Sequence, residues 1–258
     1  MTTGLLEALW RLGRHPRPYR AAVFNRLWQR RHPLDKYPAY RFCIDRGAEL
    51  AVGLGQRGMT AIEFGVAGGN GLVAMEEYAR DAERRCGISI DVVGFDAGDG
   101  LPAPKDYRDL PYRWGRGYYP MDVDKLKRRL TRARLELGSV AETVRSTKWA
   151  HPIGAVAIDV DYYSSTVDAL TVFDHAPTLP RVPVYFDDLW LATPFTGEWA
   201  AITDYNRTHE CEKIAQTWAL ARGEGWKAQV FEWHRFDHPD YATLLTKINA
   251  AGQLPLSE

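Results

Sequence analysis

One stretch limits the possible folds more than any other. An apolar strand pattern at residues 60–64 runs into Gly65-Val66-Ala67-Gly68-Gly69-Asn70-Gly71, and a helical pattern follows over 72–85. A short apolar run that ends in glycines and yields to helical periodicity is the opening unit of a parallel α/β sheet. The alternation continues with strands at 88–95, 153–158 and 182–186, and with a helix over 165–173 between the last two. A charged helix over 123–136 and a weaker strand at 140–144 fill the middle, and 228–236 reads as a late, antiparallel strand. The expected fold is α/β: a Rossmann-like, doubly wound, mostly parallel sheet. A helix over 38–52 precedes it, closed by Gly53, Gly55 and Gly58. Residues 1–55 are expected to form an N-terminal helical arm and 56–258 the Rossmann-like domain.

In the arm, Leu5, Leu6, Leu9, Trp10, Val23, Leu27 and Trp28 recur at helical spacing among arginines. An amphipathic arm of this kind covers its own domain or forms the seam of a homo-oligomer. No run is long enough to span a membrane, and residues 1–10 lack the shape of a secretory signal. The chain has 33 basic and 33 acidic side chains, so net charge offers no case for a nucleic-acid partner. Cys43, Cys86 and Cys211 lie far apart without a C-x-x-C pair, so cysteines indicate neither a disulfide framework nor a zinc site. A reducing, cytoplasmic setting is expected.

Four features carry chemistry. Glu63 closes the first strand beside the glycine turn. An acid there repels a phosphate and favours a cationic ligand, which is a reason to expect S-adenosylmethionine, with its sulfonium and ammonium, over a pyrophosphate. Against this, Gly69-Asn70-Gly71-Leu72-Val73-Ala74 also satisfies the G-x-G-x-x-A of nicotinamide-binding oxidoreductases. Asp96 closes the second strand, where doubly wound folds hydrogen-bond a ribose, and it serves either nucleotide. Asp159-Val160-Asp161 and Asp187-Asp188 each follow an apolar strand. Four acids at one sheet edge repel one another unless a cation neutralises them, and oxygen ligands select magnesium or a similar divalent ion. The same Asp159 and Asp161 fit the D-x-D of sugar-nucleotide transferases, a reading that leaves Glu63 and Asp96 without a role. A non-catalytic binding module on the same fold is a further alternative. Last, residues 106–121 form a long connection dense in tyrosine, tryptophan and arginine, which predicts a cap over a pocket.

Together these motifs resemble a known family. Glu63-Phe64-Gly65-Val66 with Gly68-Gly69, and then Gly94-Phe95-Asp96-Ala97-Gly98-Asp99-Gly100-Leu101-Pro102, are similar to the cofactor motifs of the macrocin O-methyltransferase group, within the class I S-adenosylmethionine-dependent methyltransferases. Asp159-Val160-Asp161-Tyr162-Tyr163-Ser164-Ser165-Thr166 resembles that group's D-x-D-x-Y-x-S-T segment, and Asp187-Asp188 its later acidic pair. The likeness covers residues 60–190 and departs at Ser164, where the group has an acid, at Val160, and at the turn before the last acidic strand.

The resemblance implies metal-assisted methyl transfer from S-adenosylmethionine to a hydroxyl of a small molecule, a sugar or phenolic natural product. It places Glu63, Gly65 and Gly69 near the methionine half of the cofactor, Asp96 at the ribose and Ser139 near the adenine. Asp159, beside the cofactor, would join Asp187 and Asp188 in holding Mg2+. For the general base the candidates are Asp161, then Tyr162 and His151.

Overall fold

The register of four strand tips organises the molecule. The computed structural model describes residues 36–216 and 225–243. In it, β1 (Gly58–Phe64) pairs in parallel with β2 (Ser89–Asp96) on one side and β4 (Ile153–Ile158) on the other. Beyond β4 lies β5 (Arg181–Phe186), also parallel. Phe95, Phe64, Ile158 and Phe186 are successive cross-strand partners. The residues that follow them, Asp96, Gly65, Asp159 and Asp187, therefore emerge side by side at the carboxyl edge of the sheet.

The full order is β3-β2-β1-β4-β5-β7-β6, with β3 at Arg134–Leu137, β6 at Glu212–Ala215 and β7 at Val230–Arg235. Only β7 runs against its neighbours β5 and β6. The chain builds outward from β1 to β3 and then returns to β4, so the order reverses between β1 and β4. A crevice opens at the carboxyl ends of such a switch point. Every residue of β1 and β4 is buried, as expected of central strands covered on both faces.

Helix α1 (Pro38–Gly53) packs on α2 (Asn70–Cys86) and on β1, β4 and β5. Its Cys43, Ile44, Ala48 and Ala51 are sealed in the core. This helix, expected in the arm, packs its apolar face on the sheet and on α2. The arm's remaining positions, up to residue 35, lie outside the described residues. Among the described residues no helix is long and apolar enough to cross a membrane.

The middle of the chain departs from the sequence reading. The charged segment is a short helix, α3 (Val123–Arg129), followed by β3, and the expected strand at 140–144 is instead helix α4 (Val140–Ser146). As an edge strand, β3 is half solvated and so admits Arg134 and Glu136 between its leucines. The segment entering β3 is held by Glu76 of α2, whose buried carboxylate accepts the backbone N–H groups of Thr131, Arg132 and Ala133. The helix expected over 165–173 is two, α5 (Tyr163–Leu170) and α6 (Val172–His175). Helix α7 (Gly197–Thr208) and β6 carry no clear sequence signal.

Candidate functional site

The acids behind β4 and β5 form one cluster. Asp159, Asp187 and Asp188 each offer a carboxylate oxygen, and these oxygens lie within 4.8 Å of one another. Burial pushes Asp159 up to about 8, and the charges of Asp187 and Asp188 push the same way. Asp161 is also pushed up to about 8, first by burial and then by Asp188, to which its carboxyl donates a hydrogen bond. Three other groups hold the cluster in shape. The Tyr185 hydroxyl donates to Asp187, and buried Glu198, from the first turn of α7, accepts the Asp188 N–H at 2.9 Å. Asp161 has φ +58° at the centre of a tight turn in which Tyr162 N–H bonds Val160 C=O. A left-handed aspartate in a γ-turn stores strain, and such strain collects at functional sites.

Across Gly65 lies the glycine turn. Gly65 has φ +84°, and a Cβ there would stand 1.7 Å from the Asp159 carbonyl oxygen. Only glycine lets the tips of β1 and β4 touch. Glu63 points under the turn, where its Oε1 accepts the Tyr40 hydroxyl at 2.9 Å and its buried Oε2 has no partner among the described residues. Burial raises its pKa well above the carboxylate range, against the hydrogen bond from Tyr40. Asp96 braces the turn from β2. Its Oδ2 accepts the N–H groups of Val66 and Ala67, each at 2.8 Å, and its Oδ1 accepts that of Gly98 at 2.6 Å. One lone pair of Oδ1 stays open for a ligand.

The turn and the acids face a common cleft of about 410 Å³ that runs from Gly65 and Asp96 to Asp187 and Asp188. A smaller recess of about 170 Å³ at Glu63, Tyr40 and Gly69 adjoins it through Gly65 and Asp159. The outer wall comes from the aromatic connection, with Arg113, Trp114, Tyr118 and Tyr119 on the cleft. Asp109 anchors that connection, fully buried, by accepting the backbone N–H and the hydroxyl of Ser164 at 2.8 and 2.9 Å. Ser164, where the sequence resemblance leads one to expect an acid, is thus the docking point of an acid from the loop.

Comparison with solved structures gives two close in overall shape. The O-methyltransferase NovP matches with a TM-score of 0.56 at 17% identity, over 77% of this chain and 80% of that one. CalS11, a calicheamicin methyltransferase, matches with a TM-score of 0.56 at 19% identity, over 92% of this chain and 95% of that one. The fold is that of the class I methyltransferases. No protein-family model matches the chain, and no curated protein sequence does.

On this methyltransferase fold, the sequence-derived residues separate into three groups. Glu63, Gly65, Gly69, Asp96, Asp159, Asp161, Asp187 and Asp188 all border the cleft or the adjoining recess. Ser139 caps the start of α4 and is exposed, and the cleft wall beside it is Val140. Tyr162 and His151 are removed from the base candidates. The Tyr162 ring is sealed between Leu110 and Trp114, and burial, then Asp109 and Asp161, push its hydroxyl up to about 12. His151 precedes β4 and packs against Gly58 at the start of β1, a full strand length away at the amino edge of the sheet. Sequence reasoning missed Tyr40, Glu198 and Asp109, which reach the site from distant elements and carry no local motif.

Proposed function

We propose that the chain is an S-adenosylmethionine-dependent O-methyltransferase that uses Asp159, Asp187 and Asp188 to hold a divalent cation. One observation carries this reading: Glu63, buried with an oxygen unpartnered among the described residues, and the three clustered carboxylates border connected compartments that share Gly65 and Asp159. The first compartment suits an ammonium-bearing donor. The second suits a hard cation, because Asp159, buried beside the charges of Asp187 and Asp188, is pushed toward its protonated form without one. A pyrophosphate at the turn would face Glu63, which speaks against a nicotinamide dinucleotide.

In this reading Glu63 Oε2 accepts the donor's ammonium, and the open lone pair of Asp96 accepts a ribose hydroxyl. When bound, the cation supplies Lewis acidity that lowers the pKa of an acceptor hydroxyl. Tyr185 and Glu198 fix Asp187 and Asp188, so that the acids need no rearrangement. Once the proton it shares with Asp188 has been displaced, Asp161, which faces the cleft, takes the hydroxyl proton. Trp114 and Leu191 exclude water from the reacting end. Both similar structures bear the names of methyltransferases, and the acceptor here is expected to be a hydroxylated small molecule.

The test is binding followed by turnover. S-Adenosylmethionine or its demethylated product should raise the thermal midpoint, whereas NAD should not. The Asp187→Asn, Asp188→Asn double variant should keep that shift and lose methyl transfer to catechol and sugar acceptors. A midpoint that responds to NAD alone would reverse the assignment of the donor.

A further inference from the structure

A second group of potential ligands sits away from the cleft, where α6, the end of α7 and the edge strand β6 meet. Asp174, His209 and Glu212 each present one ligand atom there, all within 4.8 Å of one another. We propose that these three side chains form a separate site for a zinc-type divalent cation, which ties the edge of the sheet to its covering helices.

The orientation of the imidazole is the first argument. His209 Nδ1 lies 3.0 Å from the Tyr205 carbonyl oxygen, which can only accept, so Nδ1 bears the hydrogen. Its other neighbour, the Thr208 hydroxyl at 3.1 Å, itself donates to the carbonyls of Asp204 and Tyr205. In the neutral ring Nε2 is then a lone pair, aimed at Asp174 Oδ1. A carbonyl that fixes the tautomer from behind is the usual support of a metal-binding histidine. The ring plane is held as well, stacked on Tyr205 at 3.8 Å between centroids and 13° between planes.

Distance is the second argument. His209 Nε2 and Asp174 Oδ1 are 3.4 Å apart. A charge-assisted hydrogen bond between them would measure about 2.8 Å. Two ligands each about 2.05 Å from a tetrahedral zinc stand roughly 3.3 Å apart. The observed spacing is that of two ligands, not of a closed ion pair.

Glu212 is oriented from the core. Trp233, fully buried, donates from Nε1 to the Tyr205 hydroxyl at 2.9 Å, and that hydroxyl donates to Glu212 Oε2 at 2.6 Å. Neighbouring cations leave the ligand atoms uncovered by a close contact, since the lysine is held by carbonyls and the arginine sits nearer Asp237, at 3.2 Å, than Glu212. Lys213 Nζ donates to the carbonyls of Asn206 and His209, and Arg235 Nε makes only a long ion pair, 3.8 Å, with Glu212 Oε1. One imidazole and two carboxylates suit zinc or a neighbouring first-row ion better than magnesium, which the all-oxygen cluster in the cleft favours. Three protein ligands leave a fourth position for water.

The test uses the full chain stripped by chelator, in an Asp187→Asn, Asp188→Asn background that silences the cleft. Zinc chloride is added, bound metal is counted by plasma mass spectrometry, and the thermal midpoint is followed. One zinc per chain and a raised midpoint are expected, with at least a 30-fold loss of affinity in His209→Gln. Asp174→Asn, at a side chain 41% exposed, guards against a folding artefact and should weaken zinc similarly. Absence of bound zinc in the background protein, or binding indifferent to both substitutions, would overturn the site and leave a His209–Asp174 ion pair only.

Discussion

Cation binding in the cleft should depend steeply on pH, and the structure sets the size of the effect. Asp159 holds a proton up to about pH 8 because it is buried beside Asp187 and Asp188. A cation must displace that proton before the carboxylate can ligate. Below pH 8 each unit of acidification therefore costs about 1.4 kcal/mol, or a factor of ten in affinity. Between pH 9 and pH 6 the weakening for one displaced proton is roughly 90-fold, about 2.7 kcal/mol. If the proton that Asp161 shares with Asp188 leaves as well, the slope steepens toward a hundredfold per unit. The sign for stability follows from the same linkage. The folded site keeps protons that the unfolded chain has lost, so these acids lower the stability of the metal-free protein as pH rises from about 4 to 8. Stabilisation by added cation grows over the upper part of that window. Calorimetric titration with Mg2+ at pH 6, 7, 8 and 9, in buffers of different ionisation enthalpy, measures both affinity and proton release. An affinity that stays constant from pH 6 to pH 9 would refute the reasoning, because it would mean that no proton leaves the cluster.

Three further outcomes are expected. Gly65→Ala should lower stability by about 2 kcal/mol or more, through its left-handed backbone and the collision with the Asp159 carbonyl, and should abolish turnover; denaturant melts and an activity assay read both. Glu76→Gln should cost about 3 kcal/mol, since the amide turns an N–H group toward backbone donors that the carboxylate now satisfies. Burial opposes ionisation of Glu76, but these bonds prevail and lower its pKa, so its contribution is present at neutral pH and fades as acid reaches that lowered value. His151→Ala should leave kcat within about twofold, while Asp161→Asn should reduce it by 10²-fold or more; a large effect of His151 on kcat alone would mean that the amino edge of the sheet takes part in the reaction.

Much of this was legible because strand ends announce themselves. Apolar runs followed by Asp96, Asp159 and Asp187 gave both the sheet and its functional edge, since a buried parallel strand needs continuous apolar residues and these acids come where the strands surface. Glu63, by contrast, stood out as a buried acid inside such a run. The edge strand β3 was not legible. Half exposed and only four residues long, it carries Arg134 and Glu136 shortly after a charged helical segment, and an alternation that short does not separate from the polar run before it. Tyr40 and Glu198 were hidden for another reason: their partners Glu63 and Asp188 are tertiary neighbours from other elements, and no local spacing encodes that meeting. His151 misled because its nearness in sequence to the acidic strand says nothing about which end of that strand it occupies.

The contact between Gly65 and the Asp159 carbonyl makes one partition serve two chambers. With no room for a side chain between them, any atom added at position 65 would part the tips of β1 and β4 and so deform both chambers at once.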